Sequence, residues 1–100
     1  MNVYFIIALG SQLRMKIGRA KDVGRRLAEL QTGSSDKLTI FVYVQCASDE
    51  NARHMERMAH SYFRFARLRG EWFRYNKRIG NQVRRWVENN ARLEVKWAKC

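Results

Sequence analysis

The first seventeen residues leave the chain few choices. Val3–Leu9 is an unbroken apolar run, VYFIIAL, and reads as a strand covered on both faces. Gly10-Ser11-Gln12 supplies a turn. Leu13–Ile17 then alternates Leu, Arg, Met, Lys and Ile, the pattern of a half-buried strand, so the two segments predict a hairpin. Its register follows from the side chains. With Leu9 opposite Leu13, residues Val3, Phe5, Ile7, Leu9, Leu13, Met15 and Ile17 share one face, whereas a slip of one residue scatters them over both. The other face carries Tyr4, Ile6, Ala8, Arg14, Lys16 and Gly18. There Tyr4 stands across from Gly18 and diagonal to Lys16, which makes a phenol and an ammonium neighbours.

Lys21-Asp22 opens a helix expected to run to about Gln31 and to stop at Gly33. Val23, Leu27 and Leu30 form its apolar stripe. At about 100° per residue, Arg26 falls on the stripe's edge and Arg25 on the solvent side, so Arg26 is the arginine set near the sheet. Leu38–Cys46 is rich in β-branched and aromatic residues and predicts a third, central strand.

Ser48-Asp49-Glu50 starts a second helix, expected to reach Arg67, with Ala52, Met55, Met58, Ala59, Tyr62, Phe63 and Ala66 as its apolar stripe. Glu56 borders that stripe and His60 lies one turn on, while Arg53, Arg57, Arg64 and Arg67 fill the adjoining face. Leu68–Gly70 reads as a turn and Glu71–Tyr75 as a short aromatic segment at a sheet edge. Ile79, Val83, Trp86 and Val87 give a third helical stripe ending near Asn89-Asn90. Leu93, Val95 and Trp97 alternate as in a short strand.

Charge narrows the partners. The net charge is +11 and arginine dominates the basic residues. A folded domain this basic is expected to meet a polyanion, because phosphate neutralisation with counterion release supplies affinity. Nucleic acid comes before an anionic membrane, since no helix pairs a large apolar face with a purely basic one. No run approaches the roughly 20 apolar residues that span a bilayer. One hundred residues with 46% hydrophobic content suit one domain with a small core, residues 1–100. Cys46, expected in the core, and Cys100 make neither a disulfide framework nor a zinc site, and no signal peptide is evident, so a reducing cytoplasmic compartment is expected.

Four residues could act together on a phosphodiester. A carboxylate, Glu56, could hold a Lewis-acidic metal. An arginine, Arg26, could offset charge in the transition state. Tyr4 has a pKa near 10 unless cations such as Lys16 favour its phenolate. Each also has an ordinary alternative. Tyr4 suits a core strand, Lys16 a polar strand face, Arg26 an ion pair with Glu29, and Glu56 an ion pair with Arg53, Arg57 or His60.

Taken in order, these motifs resemble the GIY-YIG endonuclease superfamily. They are Asn2-Val3-Tyr4, then Lys16-Ile17-Gly18, then Arg26 opening R-L-x-x-L-Q-T-G. Glu56, His60 and Phe63 follow as E-x-x-x-H-x-x-F, and Gly70–Phe73 as G-E-W-F. The closer likeness is to a short phage and bacterial branch with KIG in place of YIG, and it covers residues 2–75, leaving a C-terminal helix and tail over 76–100.

The resemblance implies a small α/β (α+β) domain, a central three-stranded antiparallel sheet flanked by about three helices. It implies cleavage of double-stranded DNA with Mg²⁺ or Mn²⁺, in a bacterial or phage-infected cell. Tyr4 takes the role of base or water-positioning residue, Lys16 stands where many members have a second tyrosine, Arg26 is the helix arginine and Glu56 the metal ligand. Gly18 closes the second motif, and His60 and Asn76 are further active-site candidates. Arg14, Arg19, Arg53, Arg57, Arg64 and Arg67 are the expected DNA contacts. Without a separate recognition domain, cleavage is expected to be weakly specific, or guided by a second copy of the chain or a partner protein.

Overall fold

A computed structural model describes residues 1–90 and the backbone of residues 95–97. The hairpin forms in the expected register. Strand β1 (Asn2–Leu9) pairs with β2 (Arg14–Ala20), Tyr4 opposite Gly18 and Ile7 opposite Met15. Leu9 and Leu13, which the register puts on the same face as Val3 and Phe5, lie beyond the last β1–β2 pair, at the exposed hairpin tip.

Helix α1 (Val23–Thr32) starts where the sequence predicts. Its cap is Asp22, whose Oδ1 accepts the Arg25 N–H at 3.1 Å. Strand β3 (Lys37–Gln45) pairs antiparallel with the other edge of β1, which makes β1 the middle of three long strands. A bulge at Phe41 breaks the alternation of β3. Val42 and Val44 therefore face one side, while Ile40 and Tyr43 face the other.

Three short strands widen this sheet to six: β4 (Arg67–Arg69), β5 (Trp72–Arg74) and β6 (Val95–Trp97). The order is β4-β5-β2-β1-β3-β6, antiparallel throughout. The aromatic segment expected at an edge is thus internal, because Gly70 turns in the left-handed region (φ +55°) and folds β4 back onto β5. In the expected tail strand, the backbone of Val95–Trp97 pairs with β3, and Leu93 and Cys100 lie outside the described residues.

The helices take opposite faces. Helices α2 (Asp49–Tyr62) and α3 (Lys77–Asn90) cover the face of Val3, Phe5, Ile7, Met15 and Ile17. Phe63 is fully buried there, edge-on to Phe5 at 6.4 Å and to Trp86 at 6.2 Å. Truncating such a ring costs about 3–5 kcal/mol. Helix α1 covers the other face, where Val23, Leu27 and Leu30 pack against Tyr4, Ile6 and Ala8.

Helix α2 is shorter than its periodicity predicts. It stops at Tyr62, and Arg64–Ala66 form one 3₁₀ turn. Phe63 and Ala66 must both stay in the core while the chain bends into β4, and the tighter turn satisfies both. Tyr62, placed in the apolar stripe by spacing, is exposed instead.

Candidate active site

The site lies where the sheet edge steps inward. Strand β5 flanks β2 from Arg14 to Lys16. One more contact follows, the Ile17 N–H donating to the Glu71 carbonyl at 3.1 Å. Beyond it, Gly18–Ala20 have no outer strand among the described residues. Side chains from both faces of the sheet meet around this open edge.

From the α1 face comes Tyr4, 1% exposed. Its hydroxyl lies directly over Gly18, where an added Cβ would sit 2.4 Å from the phenol oxygen. The glycine is therefore required for space. Arg26 lies within hydrogen-bonding reach of that hydroxyl. Its outer side also meets Glu29 at 3.8 Å, the ordinary pairing that sequence allows. Burial pushes the Tyr4 phenol above its usual value of 10.0 and outweighs the opposing effect of Arg26. Tyr4 is thus a neutral phenol at physiological pH.

Lys16 shares that face but is otherwise engaged. Its ammonium is 3.4 Å from Glu71 Oε1 and 5.1 Å from the centre of the Trp72 ring. Arg14 stacks on the same ring at 4.6 Å and pairs with Asp36 at 3.2 Å. Glu71 is the residue that sequence reasoning did not assign. Its Oε1 lies 3.1 Å from the Cβ position of Gly18, close to the Tyr4 hydroxyl. The signal was its place in G-E-W-F: with Trp72 opposite Lys16, Glu71 must stand beside Ile17 at the end of the ladder.

From the α2 face comes Glu56, its side chain 14% exposed. Arg19 points to this face by strand alternation and meets Glu56 at 3.2 Å and Asp49 at 3.3 Å. His60 contacts the Ile17 carbonyl at 2.9 Å and lies 4.0 Å from Glu56. The Glu71 carboxyl lies close enough to act on that of Glu56. Burial first, and then the charge of Glu71, raise Glu56 above its usual 4.5, while Arg19 and His60 act against the shift. The charges of Glu56 and Glu71 both reach Tyr4 across the edge.

Tyr4, Lys16, Gly18, Arg26, Glu56 and His60 are therefore brought together, with Arg19 and Glu71 beside them. Asn76 is not. It caps α3, its Oδ1 accepting the Ile79 N–H at 2.8 Å, beyond the far end of β5. Arg53 pairs with Asp49 at 3.0 Å, and Arg53, Arg57, Arg64 and Arg67 are all exposed.

Among the described residues no three His, Cys, Asp or Glu side chains converge as a metal cage. Two adjoining carboxylates, Glu56 and Glu71, suit a hard, water-rich ion of the Mg²⁺ type, which takes one or two carboxylates and completes its shell with water and substrate phosphate.

A family model, the T5orf172 domain, matches residues 2–88. The chain belongs to the T5orf172 domain family. This domain is found in endonuclease-like proteins of phages and bacteria, in keeping with a basic nucleic-acid-handling module. The T5orf172 match spans every residue of the cluster around Gly18 and ends in α3. No curated protein and no solved structure matches the chain. No helix among the described residues is long and apolar enough to cross a membrane.

Proposed function

We propose that this domain is a divalent-metal-dependent DNA endonuclease of the GIY-YIG type, with a single active site at the open edge of β2. The observation that carries the reading is the meeting of Tyr4, Lys16, Arg26, Glu56 and Glu71, from five separate segments, around one glycine. The ordered motifs of the GIY-YIG resemblance support it, as does the net charge of +11.

A divalent ion such as Mg²⁺ or Mn²⁺, held by Glu56 and Glu71, would supply Lewis acidity at the scissile phosphate. The chain's own groups do the rest. Arg26 turns its guanidinium from Tyr4 and Glu29 to the phosphate, where it offsets the developing charge. That movement uncovers the Tyr4 hydroxyl at Gly18. The neutral phenol then orients the attacking water by hydrogen bonding, and the proton that water loses passes to solvent at the open edge, which returns one to the leaving oxygen. Lys16 keeps Glu71 in place. Arg19 neutralises Glu56 in the resting site.

The test is nicking of supercoiled plasmid with Mg²⁺ or Mn²⁺, with EDTA as control, for wild type and Glu56→Ala. The expected result is metal-dependent nicking, lost in the variant with DNA affinity retained. Equal DNA binding without cleavage under any metal would leave a binding module on the same fold.

A further inference from the structure

Away from the Gly18 edge, an open pocket of about 460 Å³ lies between the 3₁₀ turn, β5 and the start of α3. Its size falls in the range of small-ligand sites. Phe65, Arg74, Asn76, Arg78, Ile79 and Gln82 line it. Nothing in the proposed cleavage mechanism uses these residues.

Three features of the pocket point the same way. Phe65 is 53% exposed, yet its backbone is pinned: Arg74 Nη2 donates to the Phe65 carbonyl at 2.8 Å. An open aromatic face on an anchored turn is what a base stacks on. Gln82 Oε1 is buried without a hydrogen-bond partner, an arrangement that costs stability unless a ligand N–H reaches it. Arg64, beside Phe65 in the 3₁₀ turn, and Arg78 have no acidic partner among the described residues, so both remain available for phosphate. A ring, an unmet acceptor and free guanidinium groups match a nucleotide. An apolar partner protein would leave the acceptor and both arginines unmet.

We propose that this pocket takes one unpaired nucleobase of the nucleic-acid substrate, stacked on Phe65 and contacted at its exocyclic amino group by Gln82, with Arg64 and Arg78 on the adjoining phosphates. The pocket lies three residues along β5 from Glu71, about 10 Å away at strand rise. The substrate class is then DNA with a single-stranded end or gap near the cut. The proposal rests on the reading that this domain handles nucleic acid, but not on its cleaving it.

Fluorescence anisotropy in EDTA separates the two. The probes are a blunt duplex, the same duplex with a short single-stranded overhang, and the overhang built from abasic nucleotides. Wild type is expected to bind the base-bearing overhang about tenfold tighter than either control, the worth of roughly one stacked base. Phe65→Ala is expected to erase that preference while leaving duplex affinity unchanged, and Phe65→Trp to keep it. Gln82→Leu is expected to weaken binding of adenine and cytosine overhangs but not of thymine, which has no exocyclic amine. A melting curve for each variant establishes that it folds. Equal affinity for all three probes, or an equal loss on all three in Phe65→Ala, overturns the proposal and leaves Phe65 to a protein contact. Loss of nicking in Glu56→Ala with the overhang preference intact bears on the nuclease reading alone.

Discussion

Glu56 of α2 and Glu71, the residue before β5, bring their carboxyl groups close enough for the charge of one to act on the other, although they approach from a helix under the sheet and from the sheet's own edge. The charge of Glu71 disfavours ionisation of Glu56 and, after burial, is the next cause of its raised pKa. Glu71→Gln removes that charge and keeps the size of the side chain. The Glu56 pKa is expected to fall toward 4.5 in this variant, read by NMR titration of its side-chain carboxyl. Metal affinity, measured by calorimetry, is expected to fall at least tenfold, as is common when a carboxylate beside a metal ligand is lost. Unchanged affinity and nicking would remove Glu71 from the site.

The raised Glu56 pKa also fixes a stability window. A carboxyl whose folded pKa exceeds its unfolded value binds more protons in the folded state between the two. Its contribution is therefore fully present below about 4.5 and is lost as pH rises through the higher folded value. Glu56→Gln is expected to flatten that decline, seen as a smaller drop in Tm between acid and neutral pH than in wild type. At neutral pH, Mg²⁺ or Mn²⁺ is expected to raise the Tm of wild type and not of the variant. A Tm shift of equal size in both would place the ion elsewhere.

Gly18 is the narrowest point of the site. An added Cβ would lie 2.4 Å from the Tyr4 hydroxyl oxygen and 3.1 Å from Glu71 Oε1. Tyr4 is buried and cannot withdraw without moving its neighbours. Gly18→Ala is expected to cost about 1–3 kcal/mol in chemical denaturation, the usual cost of overpacking. Nicking is expected to fall by a larger factor than the stability loss explains, because Tyr4 and Glu71 are displaced together. Gly24→Ala is the control, since its nearest atom, Asp22 Oδ1, is at 3.6 Å. It is expected to be stable and active.

Much of this site was legible in local periodicity. Period-two alternation set Tyr4 opposite Gly18, and the helical wheel chose Arg26 over Arg25; both placements depend on a few neighbouring residues. The rest depended on contacts distant in sequence. Lys16 was expected to tune Tyr4, but the return of β5 puts Glu71 and Trp72 against it. The bulge at Phe41 leaves no mark in the apolar run of β3. The early end of α2 follows from Phe63 and Ala66 being held by a core that spacing alone does not reveal. Arg19 is the instructive case. Its strand parity placed it on the α2 face, yet its charge suggested a DNA contact, and its partner is Glu56.

That pairing pattern separates the arginines as DNA contacts. Arg53 is 3.0 Å from Asp49, so part of its charge is already matched. Arg57 and Arg64 are exposed and have no acidic partner among the described residues. Each phosphate contact releases about one counterion, so removing one lowers the slope of log K against log salt by about 1. Arg57→Ala and Arg64→Ala are each expected to lower the slope by about 1 and to weaken binding to unrelated duplexes alike. Arg53→Ala is expected to change the slope by much less, because its loss also frees Asp49. Anisotropy titrations of one duplex across a range of salt concentrations measure all three. A full unit lost in Arg53→Ala, with none lost in the other two, would place the bound phosphates at the N-terminal end of α2.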